Sequence, residues 1–163
     1  MPLSYGLLIF GTYLAAVCDT ALAPVWAIGT ATPDFLGLAA VVWALAPGKP
    51  RTFLAAAAVG LLADLVSPGR LGVGAAAFAV VAYALAALRG RFVTWPSWAK
   101  AAAVAPAVAA QVLAIGLGRR WLGEIDLGLL ALAGRSAAVG AYTAGLALPL
   151  LMAIDWLPRP RPF

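Results

Sequence analysis

Gly60-Leu61-Leu62-Ala63-Asp64-Leu65-Val66-Ser67-Pro68-Gly69-Arg70-Leu71-Gly72 is the stretch that decides the fold. It sets a carboxylate inside an apolar run, breaks at Ser-Pro-Gly and enters a second apolar run, which is the pattern of a membrane hairpin with a polar residue near its tip. A carboxylate in hydrocarbon costs roughly 3 kcal/mol even on lenient insertion scales, so such a residue faces other helices or a cavity. Three roles are open to Asp64: an ion pair with Arg70 or Arg135, a ligand contact in an outward-facing cavity, or a cap for the Ser67-Pro68-Gly69 turn.

Working outward, the rest of the chain has the same character. Of 163 residues, 64% are apolar and only 10% are charged, and the mean hydropathy is +0.99. These values specify an integral membrane protein. Apolar runs fall at about 3–23, 33–47, 52–67, 71–88, 99–117 and 136–154, each near or somewhat below the length needed to cross a bilayer. They are too continuous for barrel strands, and a spanning segment must satisfy its backbone internally, so the expected fold is all-α: one membrane domain over residues 1–163, a compact bundle of about six transmembrane helices. Spans two and three are short. The N-terminal run lacks a basic n-region, so it reads as a retained first span.

The breaks carry turn-forming residues, as in Pro47-Gly-Lys-Pro50 and Trp95-Pro-Ser-Trp98. All six tryptophans fall near span ends, where an indole is favoured at the headgroup level. The net charge of +5 is carried by Lys and Arg in the gaps between apolar runs, which points to membrane orientation and away from nucleic acid. With a cytoplasmic N-terminus, the inner side holds Lys49, Arg51, Arg89, Arg91, Lys100, Arg159 and Arg161, against Arg70, Arg119 and Arg120 outside. Both termini are therefore expected in the cytoplasm, with Arg135 at the entry of the last span. The C-terminal Pro-Arg-Pro-Arg-Pro-Phe end reads as an extended basic tail facing anionic lipid or a cytoplasmic partner.

Catalytic chemistry finds little to work with. The chain has no His, one cysteine (Cys18), no nucleophile elbow, no P-loop and no carboxylate cluster on one helix face. The expectation is a non-enzyme without cofactor or metal. Asp34 follows Pro33 at a helix start, where a carboxylate complements the N-terminal dipole. Gly60 lies one turn before Asp64 on the same face, and Ser136-x-x-x-Gly140 and Ala141-x-x-x-Gly145 give the last span small residues at close-packing spacing. Internal bundle packing is the simpler reading of that spacing, and a subunit contact is the other.

The order of these features resembles the MreD family of rod shape-determining membrane proteins. The matching parts are Asp19 near the end of the first span, Pro33-Asp34-Phe35-Leu36 opening an apolar run that closes in Trp43-Ala-Leu45, Gly60-Leu-Leu-Ala-Asp64-Leu-Val-Ser67, and Leu71-Gly72 leading to a span closed by Arg89. The resemblance is densest over residues 33–91; beyond them it rests on architecture.

The resemblance implies a non-catalytic subunit of the bacterial machinery that elongates the peptidoglycan wall and maintains rod shape. It implies the bitopic protein MreC as partner, in a complex that includes a RodA-type glycosyltransferase, a class B penicillin-binding protein and MreB, at the inner membrane. It also implies a fold similar to the six-helix subunits that capture vitamins for energy-coupling-factor transporters. The candidate structural or partner-binding residues are Asp64, Gly60, Arg70, Gly72, Pro33, Asp34 and Arg135. From another functional class, a substrate-binding subunit of such a transporter stands as the alternative, with Trp26, Trp121 and Glu124 closing over a ligand. The spans offer it few polar groups besides Gln111, Thr143, Tyr83 and Tyr142, so a lipid-like ligand suits it better than a vitamin.

Overall fold

The computed structural model describes residues 3–29, 31–45, 52–67, 70–92 and 95–156. The expected turns at Pro47–Pro50 and Pro68-Gly69, the charges Lys49 and Arg51, and the basic tail with Arg159 and Arg161 lie outside the described residues. Among the described residues six helices follow in order: α1 (Leu3–Ala21), α2 (Phe35–Leu45), α3 (Thr52–Val66), α4 (Val73–Phe92), α5 (Ser97–Trp121) and α6 (Leu129–Trp156). Among the described residues the only sheet-like pairing is an isolated bridge between Ile28 and Ala31.

The shortest helix is at the centre. Phe35-Leu-Gly-Leu-Ala-Ala-Val-Val-Trp-Ala-Leu45 is apolar on every side, as a helix sheathed by others must be, and α2 touches all five of the other helices. Leu36, Ala40, Val41 and Ala44 are almost completely buried there, against Val59, Phe78, Val104 and Val108. Its 11 residues rise about 16 Å, less than the hydrocarbon thickness. Protein, and not lipid, surrounds it.

The exterior is apolar as well. On α1, Ile9 and Tyr13 are each 68% exposed; Leu54, Leu61 and Leu65 project from α3, and Val80 and Tyr83 from α4. Apolar side chains over so much of the exterior suit a lipid solvent. Trp98–Trp121 and Leu129–Pro149 are long and apolar enough to cross a membrane. Ile9–Ala21, Phe35–Ala44, Leu54–Val66 and Val73–Ala87 are shorter apolar helices.

The last two helices extend beyond their apolar runs. Helix α5 starts at Ser97, behind Pro96 in extended conformation, and continues through Arg119 and Arg120, because cations complement the C-terminal helix dipole. It stops where Gly123 takes φ +72° and the Gly123 and Glu124 amides bond back to the Arg120 and Arg119 carbonyls. Helix α6 starts at Leu129, so residues 129–135, ahead of the expected span start at 136, belong to the last helix. Pro106 and Pro149 both lie inside helices.

Ser97 tests the orientation expected from charge. In a Cys18→Ser background, Ser97→Cys should resist an impermeant maleimide applied to intact cells and react once the inner face is opened. Labelling from outside would invert the topology.

Candidate functional site

Two carboxylates tie helix ends together in the same way. Asp64, in the last turn of α3, is 5% exposed and reaches across the hairpin to the first turn of α4. Its Oδ2 accepts from the amides of Gly72 at 2.8 Å, Gly74 at 3.0 Å and Ala75 at 3.3 Å, and its Oδ1 from Gly74 at 2.9 Å. These amides are the orphan donors that every helix start leaves, and the acceptor comes from the preceding helix.

The glycines around Asp64 make that reach possible. A Cβ on Gly60 would lie 2.6 Å from the Gly74 carbonyl oxygen and 2.8 Å from Ala75 Cα, and one on Gly74 would collide with the Asp64 carboxylate. Gly72 has φ +104°, a conformation that strains any other residue. Gly60, Asp64, Gly72 and Gly74 thus form one unit in which the α3 and α4 backbones nearly touch. Arg70 is not part of it: its side chain lies 3.7 Å from Glu124 and its amide donates to the same carboxylate.

Asp19, in the last turn of α1, accepts from the Phe35 amide at 3.0 Å, and Asp34 accepts from the Gly37 amide as the N-cap of α2. The Asp34 amide in turn donates to Thr143 Oγ1 of α6 at 3.1 Å. A second strap runs from the Tyr142 hydroxyl to the Trp26 carbonyl at 2.8 Å. The loop between α1 and α2 is therefore fastened to α6 while α2 is capped from two sides.

Beneath this loop lies a cavity of about 470 Å³. Asp19 of α1, Pro33 and Asp34 before α2, Ala63 and Ser67 of the α3 end, Phe78 of α4, Arg119 of α5 and Arg135 of α6 all border it. The C-terminal ends of α1, α3 and α5 therefore converge at one end of the bundle with the N-terminal portions of α2, α4 and α6. Of the residues singled out from sequence, Pro33, Asp34 and Arg135 come together at this cavity. Gly60, Asp64 and Gly72 form the neighbouring hairpin lock, and Arg70 stands apart. Asp64 does not line the cavity.

Two further residues carry unmet polar capacity. Arg119 Nε is buried without a hydrogen-bond partner among the described residues, and Gln111, fully buried two turns deeper in α5, has neither amide atom partnered. Arg119 reads from sequence as an outer loop charge; its place in the last turn of α5 is signalled by the basic pair followed closely by a glycine.

A family profile described as rod shape-determining protein MreD matches residues 3–120. The chain belongs to the MreD family. The match runs from the start of α1 to the end of α5 and so takes in the Asp64 hairpin and the α2 caps. No curated protein and no solved structure matches the chain. MreD proteins are membrane proteins of the rod-shape machinery, which accounts for the apolar exterior of this MreD-family chain. In its Gly-Leu-Leu-Ala-Asp-Leu stretch the glycine lets two helices pack closely and both carboxylate oxygens of Asp64 accept from backbone amides.

Proposed function

We propose that this MreD-family chain is a non-catalytic scaffold of cell-wall elongation at the bacterial inner membrane, with six spans and both termini cytoplasmic. It binds an MreC-type bitopic protein through that partner's single transmembrane helix. Through MreC it is connected to the RodA-type glycosyltransferase, the class B penicillin-binding protein and MreB.

The observation that carries this reading is the outer face of α6. Gly134, Ala138, Ala141 and Gly145 form one exposed stripe on that helix, while Ser136, Val139, Gly140 and Thr143 face inward. A Cβ on Gly134 or Gly145 would meet nothing within 4 Å, so bundle packing does not require glycine at either place. Each costs about 1 kcal/mol of helix propensity relative to alanine. A flat small-residue face lets a second helix approach closely, which is how helices associate where lipid removes the hydrophobic drive. The exposed faces of α1 and α3 carry bulky Ile, Phe, Tyr and Leu side chains instead.

Gly145→Leu separates partner binding from folding. The purified variant should melt within about 2 °C of the parent, since the added side chain enters open space, while co-purification of the MreC-type protein falls tenfold or more. Undiminished recovery of that partner would remove the α6 face from the proposal.

A further inference from the structure

The cavity at the converging helix ends contains charge that the fold leaves unused. Asp19 and Asp34 reach it with carboxylates already engaged by α2 amides. Arg119 and Arg135 reach it with guanidinium groups that form no ion pair among the described residues. Arg119 is the sharper case, because its Nε is buried and unpartnered. A guanidinium cannot escape by losing its proton, and its planar fork of donors matches the oxygens of a phosphate. Its position in the last turn of α5, where the helix dipole favours a cation, holds it at the cavity edge.

The remaining walls select against a freely hydrated anion. Val112, Ile115, Leu132 and Val139 line the cavity together with the two arginines, so an occupant meets apolar groups as well as charged ones. At about 470 Å³ the space falls within the range of small-molecule sites. Trp26 and Trp121, both exposed, lie on the loop beside the cavity and at the end of α5, and indoles favour the headgroup level of a bilayer.

We infer that this cavity binds the phosphate diester headgroup of a membrane lipid, with Arg119 and Arg135 on the phosphate and the apolar walls against the glycerol and first acyl carbons. The site is independent of whatever helix α6 receives, because Arg119 and Arg135 are not members of the α6 small-residue stripe.

The test uses the full chain, depleted of lipid in detergent, with three probes: dioctanoyl phosphatidylglycerol, dioctanoylglycerol and glycerol 3-phosphate. Thermal unfolding followed by tryptophan fluorescence reads stabilisation, and native mass spectrometry reads stoichiometry. The expected result is saturable stabilisation with one bound phosphatidylglycerol and none from dioctanoylglycerol. Arg119→Gln should weaken binding at least fivefold. Arg135→Gln, at an exposed position, should weaken it without affecting folding, and it carries the test if the Arg119 variant does not fold. Equal stabilisation by glycerol 3-phosphate would overturn the lipid assignment in favour of a free phosphate. Unchanged lipid binding in Arg135→Gln, equal stabilisation by dioctanoylglycerol, or a partner polypeptide cross-linking at Arg119 in place of lipid would overturn the site.

Discussion

Asp64→Leu lowers the melting temperature of the purified chain by on the order of 10 °C. The side chain is buried and accepts from the amides of Gly72, Gly74 and Ala75. Leucine removes that acceptor, leaving the first turn of α4 with orphan donors in a place that water reaches poorly. A lost N-cap costs about 1 kcal/mol, and the one donor stranded in a fully buried place, the Gly74 amide, costs about 1–3 kcal/mol, so a total near 3 kcal/mol is expected. For a chain of this length that corresponds to about 2–4 °C per kcal/mol. Asp64→Asn, with its amide oxygen in the Oδ2 position, keeps most of the acceptor geometry and should lose about half as much. Thermal unfolding of the three proteins in one detergent checks the order. Equal stability of the leucine variant and the parent would show that the carboxylate does not hold α3 to α4.

Gly140→Leu acts at the other end of the chain with a comparable effect. A Cβ at Gly140 would collide with the Ala105 carbonyl oxygen and lie 2.9 Å from Ala109 Cβ and 3.0 Å from Ala109 N. Two of those three neighbours are backbone, so the side chain fits only if α5 and α6 move apart along the most extensive helix contact in the bundle. Overpacking of that kind costs about 3 kcal/mol. The isolated protein should therefore lose stability whether or not a partner is present. Gly145→Leu, five residues on and facing outward, should leave stability intact. Were the two variants to melt together, the inward and outward faces of α6 would be wrongly assigned.

That division of α6 was only half legible in the sequence. Ser136-x-x-x-Gly140 and Ala141-x-x-x-Gly145 have the same spacing, and spacing alone does not say which face meets protein. In the fold the first pair turns inward and the second outward. For Asp64 the sequence offered a salt bridge, a ligand contact or a cap. Only the position of the α4 backbone, brought close by Gly60 and Gly74, shows where its oxygens go. Apolar continuity marks each helix, yet a span of 99–117 stops short of the charged Arg119 and Arg120, and one of 136–154 leaves out the apolar residues 129–134 that precede Arg135. At a helix C-terminus Arg119 and Arg120 are favoured within the helix, and the chain runs helical to Trp121. The shortness of α2 was visible, but its cause, a central position ringed by five helices, belongs to tertiary packing. The cavity was out of reach of sequence reasoning, since it joins Asp19, Asp34, Arg119 and Arg135 from four separate parts of the chain.

Affinity purification of the tagged full chain in mild detergent, with mass spectrometry of what accompanies it, tests the scaffold function most directly. Recovery of an MreC-type bitopic protein in fixed ratio is the expected result, with that partner lost in Gly145→Leu and retained in a conservative outward-facing variant such as Ala141→Gly. Recovery of transporter ATPase subunits in fixed ratio, with no MreC-type protein, would contradict it.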